Sequence, residues 1–196
     1  RHGRAAGFDW GENTLMPSHT RSAAAGYLVN GATQTGSTLV VDTGTGAPSQ
    51  GDVFTIAGVF SVHPETKVSS GQLQQFVVGA GATTTSIPFT PAIVITGATQ
   101  NVSAAAADNA AITFAGTAST AVQTGLAFQK GAFAFATADL VMPEGVDFAR
   151  REVMDGVSMR IIRQYDINND KFPCRLDVLY GYKTIRACLA ARYHNN

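Results

Sequence analysis

Between residues 51 and 140 this chain carries only six charged side chains: Asp52, Glu65, Lys67, Asp108, Lys130 and Asp139. Within that stretch short apolar runs recur at roughly ten-residue spacing, separated by Gly, Ser, Thr and Asn, and the pattern predicts a small β-sandwich or barrel. GDVFTIAGVF (51–60) alternates, with Val53, Thr55, Ala57 and Val59 on one face and Phe54, Ile56 and Phe60 on the other. SGQLQQFVVG (70–79) sets Leu73 and Val77 against Phe76 and Val78. SIPFT, AIVIT and AAITFAG are further strand candidates, and ATQNVSAAAADNAA reads as a low-complexity loop because Asn and Asp interrupt its alanines.

The charge that the middle lacks is concentrated after it. Residues 141–196 hold sixteen of the 28 charged side chains, and this shift divides the chain into two structural regions. Ahead of it, LAFQKGAFAFATADL (126–140) predicts a helix: the run is long and alanine-rich, with Phe128, Ala132, Phe135 and Asp139 along one stripe, Gly131 as its local cost, and Pro143 as its stop. Phe128, Phe133 and Phe135 are expected to pack in the core. MPEGVDFARREVMDG (142–156) reads as a charged link with a short helix. VSMRIIRQY (157–165) and PCRLDVLYGY (173–182) read as strands, the second with Cys174, Leu176, Val178 and Tyr180 on one face. Arg175 and Asp177 share its other face, where they can pair. KTIRACLAARYHNN closes the chain as a strand or helix.

Asp166, Asn168 and Asp170 alternate in QYDINNDKFPCRLDVLYG (164–181), with Asp177 eleven residues after Asp166, as oxygen ligands do in a calcium loop. Such a loop needs Gly at its sixth position for the sharp turn; here that position is Lys171, and the flanks are strand-like. The stretch is instead expected to be a polar hairpin loop, a role Asn and Asp suit because their side chains satisfy backbone groups.

No other pattern points to chemistry. His2, His19, His63 and His194 are isolated, with no Cys-x₂-Cys or His-x₃-His spacing for zinc. There is no G-x-S-x-G, no phosphate-binding glycine loop, and no cysteine in a recognisable active-site setting. Asn101-Val102-Ser103 fits a glycosylation sequon, relevant only in a secretory pathway. The expected catalytic, cofactor and metal residues are therefore none. Zero net charge provides no basic footprint for nucleic acid and no cationic face for a membrane. Two cysteines, Cys174 and Cys188, are too few for a disulfide framework and fit reduced thiols in a cytosol. Neither a membrane span nor a signal peptide is expected, and the missing initiator Met suggests a piece of a longer protein. Scarce charge suggests a surface largely covered by other chains.

Several segments, in order, carry a resemblance: GFDW (7–10), LMPSHT (15–20), GDVFTIAGV (51–59), VHPETK (62–67), GQLQQFVV (71–78), FQKGAFAFATADL and MPEGV (128–146), and GVSMRIIRQYDINNDKFPCRLDVLYG (156–181). Together they resemble the coat-protein family of short-tailed double-stranded-DNA bacteriophages. The resemblance implies the C-terminal portion of the tailed-phage major capsid fold, an α+β class, with a small β-barrel or sandwich inserted. On that reading 1–44 is a capsid-fold segment, 45–125 the inserted β-rich domain, and 126–196 the axial helix and peripheral strands. The family's N-terminal arm and spine helix have no counterpart here. It also implies a non-enzymatic subunit without cofactors that self-associates into pentamers and hexamers. Scaffolding protein and portal are the implied partners, with packaged DNA contacted non-specifically and no membrane. The place of action is the virion, assembled in the bacterial cytoplasm. The alternative is a β-rich phage decoration or receptor-binding module.

Overall fold

The computed structural model describes residues 3–194; His2, Asn195 and Asn196, which belong to readings made from the sequence, lie outside them. The chain forms two compact units, one running to Thr124 and the other spanning Gly125–Tyr193.

The first unit opens with a hairpin of β1 (Gly3–Ala5) and β2 (Phe8–Trp10). Ala6 and Gly7, both at positive φ (51° and 81°), make its two-residue turn. After β3 (Ser18–Thr20) come β4 (Leu28–Val29), β5 (Gly36–Asp42), β6 (Val53–Val62), β7 (Ser69–Val78), β8 (Ser86–Ile93) and β9 (Ile112–Phe114). The last six form one antiparallel sheet in the order β4-β5-β8-β7-β6-β9. Its two ends meet: Val29 N–H donates to the Ala110 carbonyl at 3.0 Å, and Ile112 N–H to the Tyr27 carbonyl at 3.0 Å. The sheet is thus a closed barrel without free edges, filled by inward side chains. Phe54, Phe76, Phe89 and Phe114 cluster at its centre, with Leu39, Val41, Ile56 and Ile87 around them.

Two features of this barrel depart from the expected strands. In β6, Phe54 and Ile56 are buried as a pair, but the next core residue is Val59 rather than Phe60. Gly58, at φ 80°, lies where the β6–β7 register slips, and the bulge reverses the side-chain phase beyond it. SIPFT and AIVIT are not separate strands; β8 runs through Pro88 and Pro91, pairing with β5 at Ser86–Pro88 and with β7 at Phe89 and Thr90. The alanine-rich loop is pinned. Asn101 accepts from Val94 N–H at 3.0 Å and donates to the Ala92 carbonyl at 2.7 Å, and Val102 and Ala106 enter the core.

The chain leaves this unit along β10 (Ala121–Phe128), whose Ala121–Gln123 pair with β3. The second unit follows with β11 (Phe133–Ala138), β12 (Phe148–Met154), β13 (Val157–Arg163), β14 (Cys174–Asp177), β15 (Leu179–Thr184), a 3₁₀ turn (Ala187–Leu189) and β16 (Ala190–His194). β12, β13 and β14 form an antiparallel sheet, and β11 pairs with β15.

The α+β expectation is therefore corrected: the described residues are all-β, with that single 3₁₀ turn and no α-helix. The helix expected over 126–140 is the end of β10, a turn, and β11. Gly131 sits at φ 107°, which breaks any helix there, and the ladder from Phe133↔Thr184 to Ala138↔Leu179 outweighs alanine's helix preference. The short helix expected in 142–156 is likewise strand β12. Asp155 (φ 50°) and Gly156 (φ 79°) turn it straight back into β13, as a two-residue hairpin loop requires. PCRLDVLYGY is two strands, because the chain changes partner at Val178. No helix among the described residues is long and apolar enough to cross a membrane.

Candidate assembly surface

Apart from Ala132, every buried apolar residue lies between Ala24 and Phe114. In the second unit only Ala132 and Ser158 are buried. Phe128, Phe133 and Phe135, expected in the core, are 53%, 40% and 60% exposed. The apolar spacing that suggested burial is real, but these three rings meet only other exposed rings, Phe128 against Phe133 and Phe135 against Tyr180.

The sheet β12-β13-β14 shows how this comes about. Residues directly opposite one another in an antiparallel ladder share a face. Register places Arg151, Arg160 and Asp177 in one row, with Val153 and Ser158 on the same face. This face is crossed by residues 137–141. Thr137 Oγ1 donates to the Gly156 carbonyl at 2.8 Å and accepts from Ser158 N–H at 3.2 Å. Arg151 reaches the Leu140 carbonyl at 3.2 Å and Asp139 at 3.4 Å, and Arg160 donates to the Val141 carbonyl. The opposite face carries Phe148, Met154, Met159, Ile161 and Leu176 among the charged Arg150, Glu152 and Arg163, and Met154 and Leu176 are 69% and 64% exposed. A free-standing sheet buries its apolar face and wets its polar one. Here the face with Asp177 is strapped, and the face with most of the large apolar side chains is left open apart from Arg163 over Phe148. Exposed apolar side chains grouped in this way mark a candidate contact surface. The ribbon β11–β15 behaves alike: Phe135 and Tyr180 stack at 6.0 Å between ring centres, and Tyr182 beside them is exposed.

Polar contacts set the sheet's register. Arg160 Nη2 lies 2.6 Å from Asp177 Oδ2, and Arg175 Nε 2.9 Å from Asp177 Oδ1, so the Arg175–Asp177 pairing expected from the sequence is present with a stronger partner added. The Arg160 hydrogen bonds, more than Arg175, hold the Asp177 carboxyl below the usual carboxylate range. We expect Arg160→Gln to raise the Asp177 pKa toward the ordinary value in a carboxyl NMR titration. An unchanged midpoint would show that Arg160 does not govern it. Arg163 is placed over the rings of Phe148 (5.9 Å) and Phe172 (5.7 Å), fixing the β13–β14 loop against the same sheet.

That loop is the polar hairpin loop expected within 164–181. Asp166 bridges Lys171 across it, accepts from Asn169 Nδ2 at 2.7 Å and from Asn168 N–H at 3.0 Å, and its carboxyl is pushed down by these donors. Asp170 instead accepts from Tyr165 Oη at 2.9 Å, which pushes the phenol up. The alternating oxygens are thus spent on the loop itself rather than converging on one point. No group of three or more His, Cys, Asp or Glu side chains among the described residues is placed to hold a metal. Cys174 and Cys188 are free and exposed.

A family model, the P22 coat protein (gene protein 5), matches residues 10–190. The chain belongs to the P22 coat protein family. It is a structural component of a bacteriophage capsid. Among solved structures, the CUS-3 coat protein I-domain is similar to 53% of this chain and 98% of its own at 28% identity, with a TM-score of 0.34. No curated protein matches the chain.

Proposed function

We propose that this coat protein is the repeating tile of an icosahedral shell, self-associating into pentamers and hexamers around a double-stranded DNA genome. Closed symmetry lets one chain build the container, and contacts that are individually modest become strong once neighbours are placed. The observation that carries this reading is the group of exposed large apolar side chains on one face of β12-β13-β14, Met154, Met159 and Leu176 among them, which further coat-protein structure would cover. The family match favours the tile over a decoration or receptor-binding module. Zero net charge suits a wall that encloses DNA without gripping it, so DNA contacts are non-specific. Scaffolding protein and portal are the further partners, and the host bacterial cytoplasm is the place of assembly.

Within the subunit, the inserted β-domain is the barrel, which reaches back from 45–125 into 1–44 through β4 and β5, the rest of 1–44 is a capsid-fold segment, and 126–196 is the axial and peripheral part. The inserted domain stabilises the subunit or joins neighbours across local two-fold positions. The test is particle assembly of the coat protein carrying Met159→Glu and Leu176→Glu. Shells should be lost while the barrel retains its melting transition. Shells at the normal yield would overturn the tile reading. In the same assay, replacing the whole barrel, Ala24 to Phe114, by a short linker should impair subunit folding or shell formation; intact subunits and normal shells would overturn the role given to the insertion.

A further inference from the structure

The neck of the first unit is built differently from its barrel. β3 brings the chain toward the barrel and the start of β10 carries it away, and the two pair through Ser18–Thr20 and Ala121–Gln123. Around them Ser119 N–H donates to the Arg21 carbonyl at 3.0 Å and Arg21 N–H to the Thr120 carbonyl at 3.3 Å. Neither strand contributes a buried side chain at these positions. The neck is held by polar contacts, whereas the barrel is held by aromatic and aliphatic packing.

Those polar contacts converge on one carboxylate. Asp52, 1% exposed, sits just ahead of β6 and is mounted on the barrel through its own backbone: its carbonyl accepts from Val78 N–H at 2.8 Å. Its side chain accepts from His19 Nε2 at 2.9 Å, from the Ser22 amide and hydroxyl, and from Ser49 N–H at 3.0 Å. Burial pushes its carboxyl up, but the Ser22 hydroxyl, the Ser49 amide, His19 and the Ser22 amide together outweigh burial, and the group stays ionised. Arg21, between the two neck donors, turns away to the Ala24 carbonyl and the Phe114 ring. His19 and Ser22 belong to the neck; Ser49 and Asp52 belong to the barrel.

We propose that Asp52, His19 and Ser22 form a latch that clamps the neck strands onto the barrel, so that its release opens the neck while the barrel stays folded. Asp52 supplies a buried acceptor that both neck residues reach, beside the one stacking contact of Arg21 on Phe114. The opening free energy of the neck is then set by a few charge-assisted hydrogen bonds, well below that of the barrel. The latch holds whether or not the chain tiles a shell.

Residue-resolved hydrogen–deuterium exchange on the full chain tests it. An amide in Asp52→Asn turns a donor toward donors, so the Arg21 and Ser119 amides should exchange about tenfold faster or more, with Val29, Ala57 and Ala115 unchanged. Ser22→Ala, which keeps the carboxylate and removes one neck donor, should give the same pattern at smaller amplitude, and it serves if Asp52→Asn does not fold. Equal acceleration of neck and barrel amides, or neck amides unmoved in Ser22→Ala, overturns the latch.

Discussion

Replacing Phe54 by alanine is expected to destabilise the barrel by about 3–5 kcal/mol. Phe54 is fully buried, and its ring centre lies 5.6 Å from Phe76, 5.8 Å from Phe114 and 5.9 Å from Phe89. Those three rings come from β7, β9 and β8, and Phe54 stands directly opposite both Phe76 and Phe114 in the ladders. Truncation removes apolar area and also leaves a cavity that four strands of a closed barrel cannot collapse to fill. Since domains of this size are stable by only about 5–15 kcal/mol, the loss is a large part of the total. Urea unfolding followed by a barrel-specific probe should show a midpoint lowered by about 1–3 M at unchanged slope. Phe135→Ala, on an exposed ribbon, is the control and should stay within about 0.5 kcal/mol. A Phe54→Ala cost near that of the control would mean that the aromatic cluster is not what holds the barrel.

The importance of Phe54 could be read from the sequence, because Phe54 and Ile56 alternate with polar or small neighbours in a run that charge does not interrupt. The identity of the next core residue could not: Gly58 looks like any strand glycine, and only its positive φ reveals the bulge that moves Val59 inward. The Asp155-Gly156 pair was a readable hairpin signal, outweighed by the charge of the segment around it. For 126–140 the local signal itself misled. Alanine and the stripe from Phe128 to Asp139 favour helix, but the deciding partner is β15, more than forty residues further on, which no local window contains. The assembly face was hidden for a different reason. Met159, Ile161 and Leu176 have the spacing of a covered face, and sequence cannot say whether the cover lies within the chain. The ordered motifs that resemble coat proteins supplied what periodicity could not, since the family match spans all of them but the first.

Gly44 shows the same limit at a single position, and it yields the second large effect. In DTGTGAP, Gly44 and Gly46 look like equivalent turn glycines. Gly46 has the positive φ (71°) that favours glycine, but Gly44 does not, so its backbone would accept any residue. What excludes a side chain there is Tyr27: a Cβ on Gly44 would lie 2.3 Å from three atoms of its ring. Tyr27 cannot step aside. It is 1% exposed, its hydroxyl donates to the Gly46 carbonyl at 2.7 Å, and its ring meets Phe114 edge-on at 6.1 Å. Gly44→Ala is therefore expected to cost about 3 kcal/mol, from overpacking plus the loss or strain of the buried hydroxyl bond. The cause is separable from turn conformation by a double-mutant cycle with Tyr27→Ala. If the clash is the whole effect, Gly44→Ala should be nearly neutral once the ring is gone, leaving a coupling energy close to its cost in the wild-type background. A cost that persists without Tyr27 would place the requirement for glycine in the turn itself and sink the steric account.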